Sequence, residues 1–361
     1  MVPAMNEQQW MIYGAYGYTG KLIAKEAVLR GLRPILAGRN GKKLKAMADR
    51  LNLDFRCFDL KTPESIHSHL HQINVLLNCA GPFTATSVPL AKACIKTGCN
   101  YLDITGEIEV FEYLYNLGDV AVKRGMVLCP GAGFDVIATD CVAAALKATL
   151  PYAENLALAF HSESRLSPGT IKTFIEAFKS KGMIRKKGVI KIVPLAFKVR
   201  NIDFGAGPRT TVTIPWGDVS TAFYTTGIPN IEVYAAFPEK WIAIFKILRI
   251  FRPIIGLEPM QKFLKKMVEM QVSGPSTQDR ETAPVYLWGE VRDSKGSCFQ
   301  AQLTVANGYD VTKMGSLGIV EKLLNKSPEP GYYTPSQLMG THYISRLPGC
   351  GPIKIFTPKK H

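Results

Sequence analysis

Over roughly the first 150 residues, short apolar runs alternate with stretches whose apolar positions recur at helical spacing. Trp10–Tyr13 reads as a strand; it feeds the segment Gly14–Gly20, after which a helix runs from about Lys21 to Arg30. Arg33–Ala37 is the next strand, and Lys42–Leu51 a helix with Leu44, Met47, Ala48 and Leu51 at helical spacing. Leu53–Leu60 reads as a third strand, followed by a helix opened by Thr62-Pro63-Glu64, with Thr62 as N-cap. Strand Asn74–Ala80, helix Ser87–Thr97, strand Asn100–Ile104, helix Glu109–Arg124 and strand Gly125–Cys129 complete the series. Strands alternating with helices predict an α/β fold in which a parallel sheet is wound on both faces, a Rossmann-type domain.

Beyond about Leu150 the pattern changes. β-Branched and aromatic runs dominate at Asn155–His161, Thr210–Ile214, Val219–Thr225, Ile231–Ala236, Val285–Val291 and Phe299–Val305, with helical stretches at Gly169–Lys181 and Pro238–Gln271. This predicts a second α+β domain with a mixed sheet. The tail turns helical again over Asp310–Leu324, and Pro335–Gly340 reads as a short turn or helix. The expected organisation is a dinucleotide-binding domain of residues 1–150 completed by 308–361, with 151–307 an inserted substrate or dimerisation domain.

Composition narrows the class. Hydrophobic residues make up 47% of the 361 positions, enough to bury a sizeable core and to exclude global disorder. Forty-four Lys and Arg against 29 Asp and Glu leave a net charge of +15, which favours an anionic partner, whether a phosphorylated cofactor, nucleic acid or an acidic membrane surface. Nothing resembling a helix–turn–helix, zinc finger or aromatic RNA platform supports nucleic acid as that partner. The eight cysteines are scattered without a CxxC pair, and the opening MVPAMNEQQW has neither a basic nor an apolar signal region, so a cytoplasmic protein with reduced thiols and no metal is expected. His67, His69 and His71 alternate, which on a helix points them to different faces.

The strongest chemical signal is Gly14-x-x-Gly17-x-x-Gly20 between a strand and a helix. The first glycine permits a tight turn, the second lets backbone approach a pyrophosphate, and the third allows close packing of helix on strand. Gly14, Tyr16, Gly17, Tyr18, Thr19 and Gly20 are the expected phosphate cradle. The second strand ends Ala37-Gly38-Arg39-Asn40, with no Asp or Glu to hold a ribose 2′-hydroxyl. Arg39 offers a planar fork of donors for a 2′-phosphate and Asn40 a neutral donor, so the expected cofactor is NADP(H). Asp59 ends the third strand, where it either accepts from the adenine amino group or serves a turn. Ala80, Gly81 and Pro82 follow the fourth strand at the nicotinamide end of the crevice. Candidate acids there are Tyr101, Asp103, Glu107 and Asp135; Tyr101 and Asp135 are taken as the catalytic pair, against the alternatives of strand packing for Tyr101 and helix capping for Asp135.

At these residues the sequence resembles the saccharopine dehydrogenase-like family of NADP-binding oxidoreductases. The resemblance rests on YGAYGYTG (Tyr13–Gly20), AGRN (Ala37–Asn40), NCAGPF (Asn78–Phe83), YLDITGE (Tyr101–Glu107) and CPGAGFD (Cys129–Asp135). It continues in SPGTIKT (Ser167–Thr173), PWGDVSTA (Pro215–Ala222), TTGIPNIEVY (Thr225–Tyr234) and GYYTP (Gly331–Pro335), which look like the branch that includes trans-acting enoyl reductases. The resemblance implies a split architecture with an inserted second domain, and hydride transfer from NADPH to a polarised double bond. An enoyl-type C=C bond in a hydrophobic or acyl substrate is the leading expectation. A saccharopine-type imine dehydrogenase and a non-catalytic NADP-binding, lipid-associated protein are the alternatives; the arginine set a dicarboxylate adduct needs is not located.

The segment Trp241–Leu257 is aliphatic and aromatic with interleaved Lys246, Arg249 and Arg252. It reads as a peripheral membrane contact, a cover for an acyl groove, a dimer contact or a core helix. A homodimer is the expected assembly.

Overall fold

The computed structural model describes residues 9–162, 182–205, 207–237 and 283–358. In chain order the first elements are β1 (Gln9–Tyr13), α1 (Tyr18–Leu29), β2 (Ile35–Gly38), α2 (Gly41–Leu51), β3 (Phe55–Cys57), α3 (Pro63–Leu70), β4 (Ile73–Asn78) and α4 (Phe83–Thr97). They continue with β5 (Asn100–Asp103), α5 (Ile108–Tyr115), α6 (Gly118–Lys123), β6 (Val127–Cys129) and α7 (Phe134–Thr149). The middle of the chain gives β7 (Asn155–Ser162), β8 (Gly182–Lys186), β9 (Val189–Val193), β10 (Val199–Asp203), β11 (Pro208–Thr213), α8 (Asp218–Thr226), β12 (Asn230–Ala236), β13 (Val285–Arg292) and β14 (Cys298–Val305). The tail adds α9 (Gly308–Asn325), β15 (Gly331–Tyr332), α10 (Pro335–Met339) and β16 (Lys354–Phe356).

The chain divides into one unit of Met1–Ile137 with Tyr309–Gly340 and another of Ala138–Gly308 with Thr341–His361. In the first unit seven strands form a parallel sheet in the order β15-β6-β5-β4-β1-β2-β3. The central strands are buried along almost their whole length, which explains their near-continuous apolar runs. Met11, Tyr13, Leu76, Tyr101 and Leu128 of the strands pack with Ile66, Leu70, Leu90 and Cys94 of the helices in one core. The order reverses between β1 and β4, and a crevice at the C-terminal ends of the strands follows from that reversal.

The second unit holds a nine-stranded mixed sheet of order β10-β11-β12-β7-β13-β14-β16, with β8 on β12 and β9 on β8. Gly289 of β13 lets α7 approach, since a Cβ there would lie 2.7 Å from Val142 and Leu146. Trp288, Tyr234, Phe204, Ile202 and Ala159 form a smaller cluster, with the Arg200 guanidinium over the Trp288 ring and paired to Glu290.

Several expectations are corrected. Val219–Thr225 is part of a helix, α8, and not a strand. Two of its threonines satisfy their hydroxyls on carbonyls four residues back, Thr221 on Gly217 and Thr226 on Ala222, while Thr225 donates to Asp140, so the helix accommodates the β-branched residues. Gly227, in the left-handed region at φ +68°, ends it. The single helix expected over Glu109–Arg124 is broken into α5 and α6. The break precedes Gly118, whose Cβ position lies 3.3 Å from Tyr332 Cβ. The third strand is three residues long, because Asp59 turns the chain by accepting from the Lys61 amide. Thr62 stands at the cap of α3 but makes no side-chain capping bond. The unit boundary falls inside α7 after Ile137 and not at residue 150, and residues 341–361 join the second unit, where β16 pairs with β14. The helices read over Gly169–Lys181 and Pro238–Gln271, and the segment Trp241–Leu257, lie outside the described residues. Among the described residues no helix is long and apolar enough to cross a membrane.

Candidate functional site

The β1–α1 loop is built around its three glycines, each for a different reason. Gly14 is left-handed at φ +81°, and a Cβ on it would sit 2.8 Å from the Ala80 amide nitrogen. A Cβ on Gly20 would sit 2.5 Å from the Gly14 carbonyl oxygen, so this glycine lets α1 close onto the loop. Gly17 differs: its Cβ would approach only the Gly14 oxygen, at 3.2 Å. Among the described residues beyond its chain neighbours no other atom lies within 4 Å of that position, which is what a pyrophosphate cradle requires. Gly17 is also the N-cap of α1, and the helix starts with no side-chain cap and no acidic residue in its first turn, Tyr18-Thr19-Gly20. First-turn amides have no intrahelical acceptor, so this end presents donors and a positive dipole to an anion.

At the end of β2, Gly38 allows the Tyr16 ring to lie against the strand, with Tyr16 Cε1 2.8 Å from its Cβ position. Lys43 Nζ sits 5.8 Å from the same ring centroid. Arg39 is exposed and forms no hydrogen bond or salt bridge with another described residue. Asn40 caps α2, its Oδ1 accepting from the Lys43 amide at 3.0 Å, which leaves its Nδ2 as the outward donor. Asp59 takes the turn role, with Oδ1 on the Lys61 amide. Nearby, His69 stacks on Phe58 at 4.5 Å between centroids, and burial beside Arg56 holds its pKa down.

Past β4, Gly81 and Pro82 are exposed and Ala80 half-buried, joined by a cis Gly81–Pro82 bond. Beneath them lies a buried polar network. Asn78 donates to Thr86 Oγ1 at 3.0 Å and to the Tyr101 hydroxyl at 3.3 Å, and its Oδ1 accepts from the Ala80 amide at 3.0 Å. Tyr101 donates to Asp103 at 2.8 Å, and Asp103 also accepts from Ser87 and from the amides of Thr105 and Gly131. Asp103 thereby ties α4 and the loops after β5 and β6 together. Burial pushes its carboxyl up to about 6 against the pull of those donors. Glu107 binds the Phe83 and Thr84 amides at 2.8 and 2.7 Å, satisfying the start of α4.

The geometry therefore divides the candidate acids. Tyr101 is fully buried with its hydroxyl committed inside the network, donating to Asp103. Asp103 and Glu107 are likewise occupied by structural donors. Asp135 stands inside the first turn of α7 and not at its cap. Its Oδ2 lies 2.9 Å from the Cβ position of Gly106, a contact that only glycine allows. Burial pushes its carboxyl up to about 7.

Every expected cofactor residue thus falls at the C-terminal side of the parallel strands, together with Asp135. Such a sheet with this loop is a dinucleotide-binding domain, and an arginine in place of an acid after β2 is the NADP-type ending. Residues 10–129 match the saccharopine dehydrogenase NADP binding domain, and the cofactor of this part of the chain is NADP(H). A probable mitochondrial saccharopine dehydrogenase-like oxidoreductase of Arabidopsis thaliana is 32% identical over 189 residues, covering 47% of this chain and 38% of the relative. A trans-acting enoyl reductase of Mycobacterium ulcerans is 30% identical over 195 residues, 50% of this chain and 47% of the relative. The human saccharopine dehydrogenase-like oxidoreductase is 27% identical over 205 residues, 49% and 47%. The chain spans less than half the length of these curated relatives. Among solved structures, saccharopine dehydrogenase (L-Glu forming) from Saccharomyces cerevisiae has the same fold, with a TM-score of 0.67 and 11% identity over 98% of this chain and all of that one.

Proposed function

We propose that the protein is an NADPH-dependent oxidoreductase that delivers a hydride to a polarised, enoyl-type double bond of a hydrophobic or acyl substrate. The observation that carries the reading is the space at Gly17 before an uncapped helix start, with Arg39 exposed at the end of β2. The likeness to trans-acting enoyl reductases supports the C=C acceptor. NADPH, once bound, supplies the hydride. The chain's own contribution is to hold the pyrophosphate at the α1 start, to receive the 2′-phosphate on Arg39 and Asn40, and to protonate the reduced acceptor. Asp135 is the residue assigned that last role, because a carboxyl raised to about 7 keeps a large protonated share at neutral pH. The eight cysteines are all free, in keeping with a cytoplasmic protein, and a homodimer without nucleic acid completes the reading.

The experiment is NADPH oxidation in the presence of enoyl thioesters of increasing chain length, and separately of an α-keto acid with an amino acid. Turnover is expected with the thioesters. Turnover only with the keto acid and amine assigns the imine-forming reaction instead.

A further inference from the structure

The tail helix α9 lies beside α1, although about 290 residues separate them in sequence. Lys313 Nζ is 3.3 Å from the Glu26 carboxylate, Arg30 Nη1 is 3.4 Å from Glu321, and Arg30 Nη2 is 2.8 Å from Met314 Sδ. Each half-exposed ion pair contributes little stability alone. Together they fix a register: later residues of α9 meet later residues of α1. The two helices therefore run in the same direction, and both begin at the cofactor end of the unit. There Tyr309 meets Tyr18 edge to face, with ring centroids 5.0 Å apart and planes at 75°. The same turn of α9 reaches the opposite side of the crevice. Thr312 Oγ1 accepts from the Phe134 amide at 2.9 Å, and Thr312 Cγ2 lies 3.3 Å from the Cβ position of Gly133. One turn of the tail thus touches the start of α1 on one side and, on the other, Gly133 and Phe134 at the start of α7, next to Asp135. Asp310, the acid in this turn, is paired to Lys313 at 3.3 Å, so its charge is offset.

Tyr18 is the exposed member of the pair, at 42%, on the first residue of α1 directly after Gly17. Its backbone adjoins Gly17, where the Cβ position is left open on the cofactor side. We propose that the first turn of α9 is a third wall of the NADP(H) crevice, with Tyr309 a positioning residue that holds the Tyr18 ring beside the cofactor's pyrophosphate. This rests on the NADP(H) reading of the β1–α1 loop. It assigns a cofactor role to the tail, outside residues 10–129 that carry the family match.

The test is titration of NADPH against wild type, Tyr309→Phe, Tyr309→Leu and Tyr18→Ala, each with the melting temperature of the cofactor-free protein. Tyr309→Phe keeps the ring edge and should bind as wild type does. Tyr309→Leu keeps apolar bulk without the ring and should weaken NADPH about three- to tenfold, the range an aromatic pair supplies. Tyr18→Ala should weaken it similarly, and adding Tyr309→Leu to it should cost nothing more, because Tyr309 acts through Tyr18. A purely structural tyrosine would lower the melting temperature while leaving NADPH affinity untouched; that result, or full additivity in the double variant, overturns the proposal. Wild type that fails to bind NADPH at all overturns the cofactor reading itself, and this inference with it.

Discussion

Gly17→Val is expected to leave the protein folded and to abolish NADPH binding. The contrast with its neighbours is the reason. A side chain on Gly14 or Gly20 would collide with backbone at 2.8 and 2.5 Å, so those positions are glycine for the sake of the fold. At Gly17 the Cβ would meet, among the described residues beyond its chain neighbours, just the Gly14 oxygen at 3.2 Å, which needs to give by a few tenths of an ångström. The two methyls of valine then occupy the volume a pyrophosphate needs. Circular dichroism should stay native, while the rise in melting temperature that NADPH produces in wild type by mass action disappears. Native-like binding by this variant would move the phosphates elsewhere.

Replacing Asp135 by Asn should lower turnover about 10²- to 10⁴-fold, the usual contribution of a positioned proton donor, with little change in NADPH affinity. The pH dependence has a defined sign. Reduction needs the protonated carboxyl, which predominates below the raised value of about 7. Turnover should therefore be flat at lower pH and fall about tenfold per unit as pH rises above that value. Asp135→Asn keeps the shape against Gly106 but cannot release a proton, so the pH-dependent fall should vanish with the activity. A variant that retains both the rate and the profile would remove Asp135 from the chemistry. The other acids of the crevice are poor substitutes: Asp103 is bound by Tyr101, Ser87 and two amides, and Glu107 by two amides of α4.

The parallel half of the fold was legible because strands buried on both faces must be apolar throughout, and because glycines at Gly14 and Gly20 are demanded by backbone contacts. Arg39 was legible as an absence of acid at one position. The second unit was harder. The hairpin β8–β9 went unread although Lys187 and Gly188, at φ 53° and 77°, form the two-residue left-handed turn that joins its strands. Alternation in MIRKKGVIKIV around that Lys-Gly pair was the available signal. In α8 threonine and aromatic content imitated a strand, while in the helix the Thr221 and Thr226 hydroxyls bond back to Gly217 and Ala222. The roles of Tyr101 and Asp103 depend on donors from α4 and from the loop after β6, 16 and 28 residues away from Asp103, which spacing along the chain does not reveal. The meeting of Tyr309 with Tyr18 is a tertiary fact of the same kind.

Cofactor choice tests the account most directly. Wild type and Arg39→Ala should be titrated with NADPH and with NADH at fixed salt. Wild type should prefer NADPH, and Arg39→Ala should lose about tenfold to a hundredfold in NADPH affinity, the ~1.5–3 kcal/mol of a charge-assisted contact, with NADH little changed. Equal binding of both cofactors by wild type, or a preference untouched by Arg39→Ala, would contradict it.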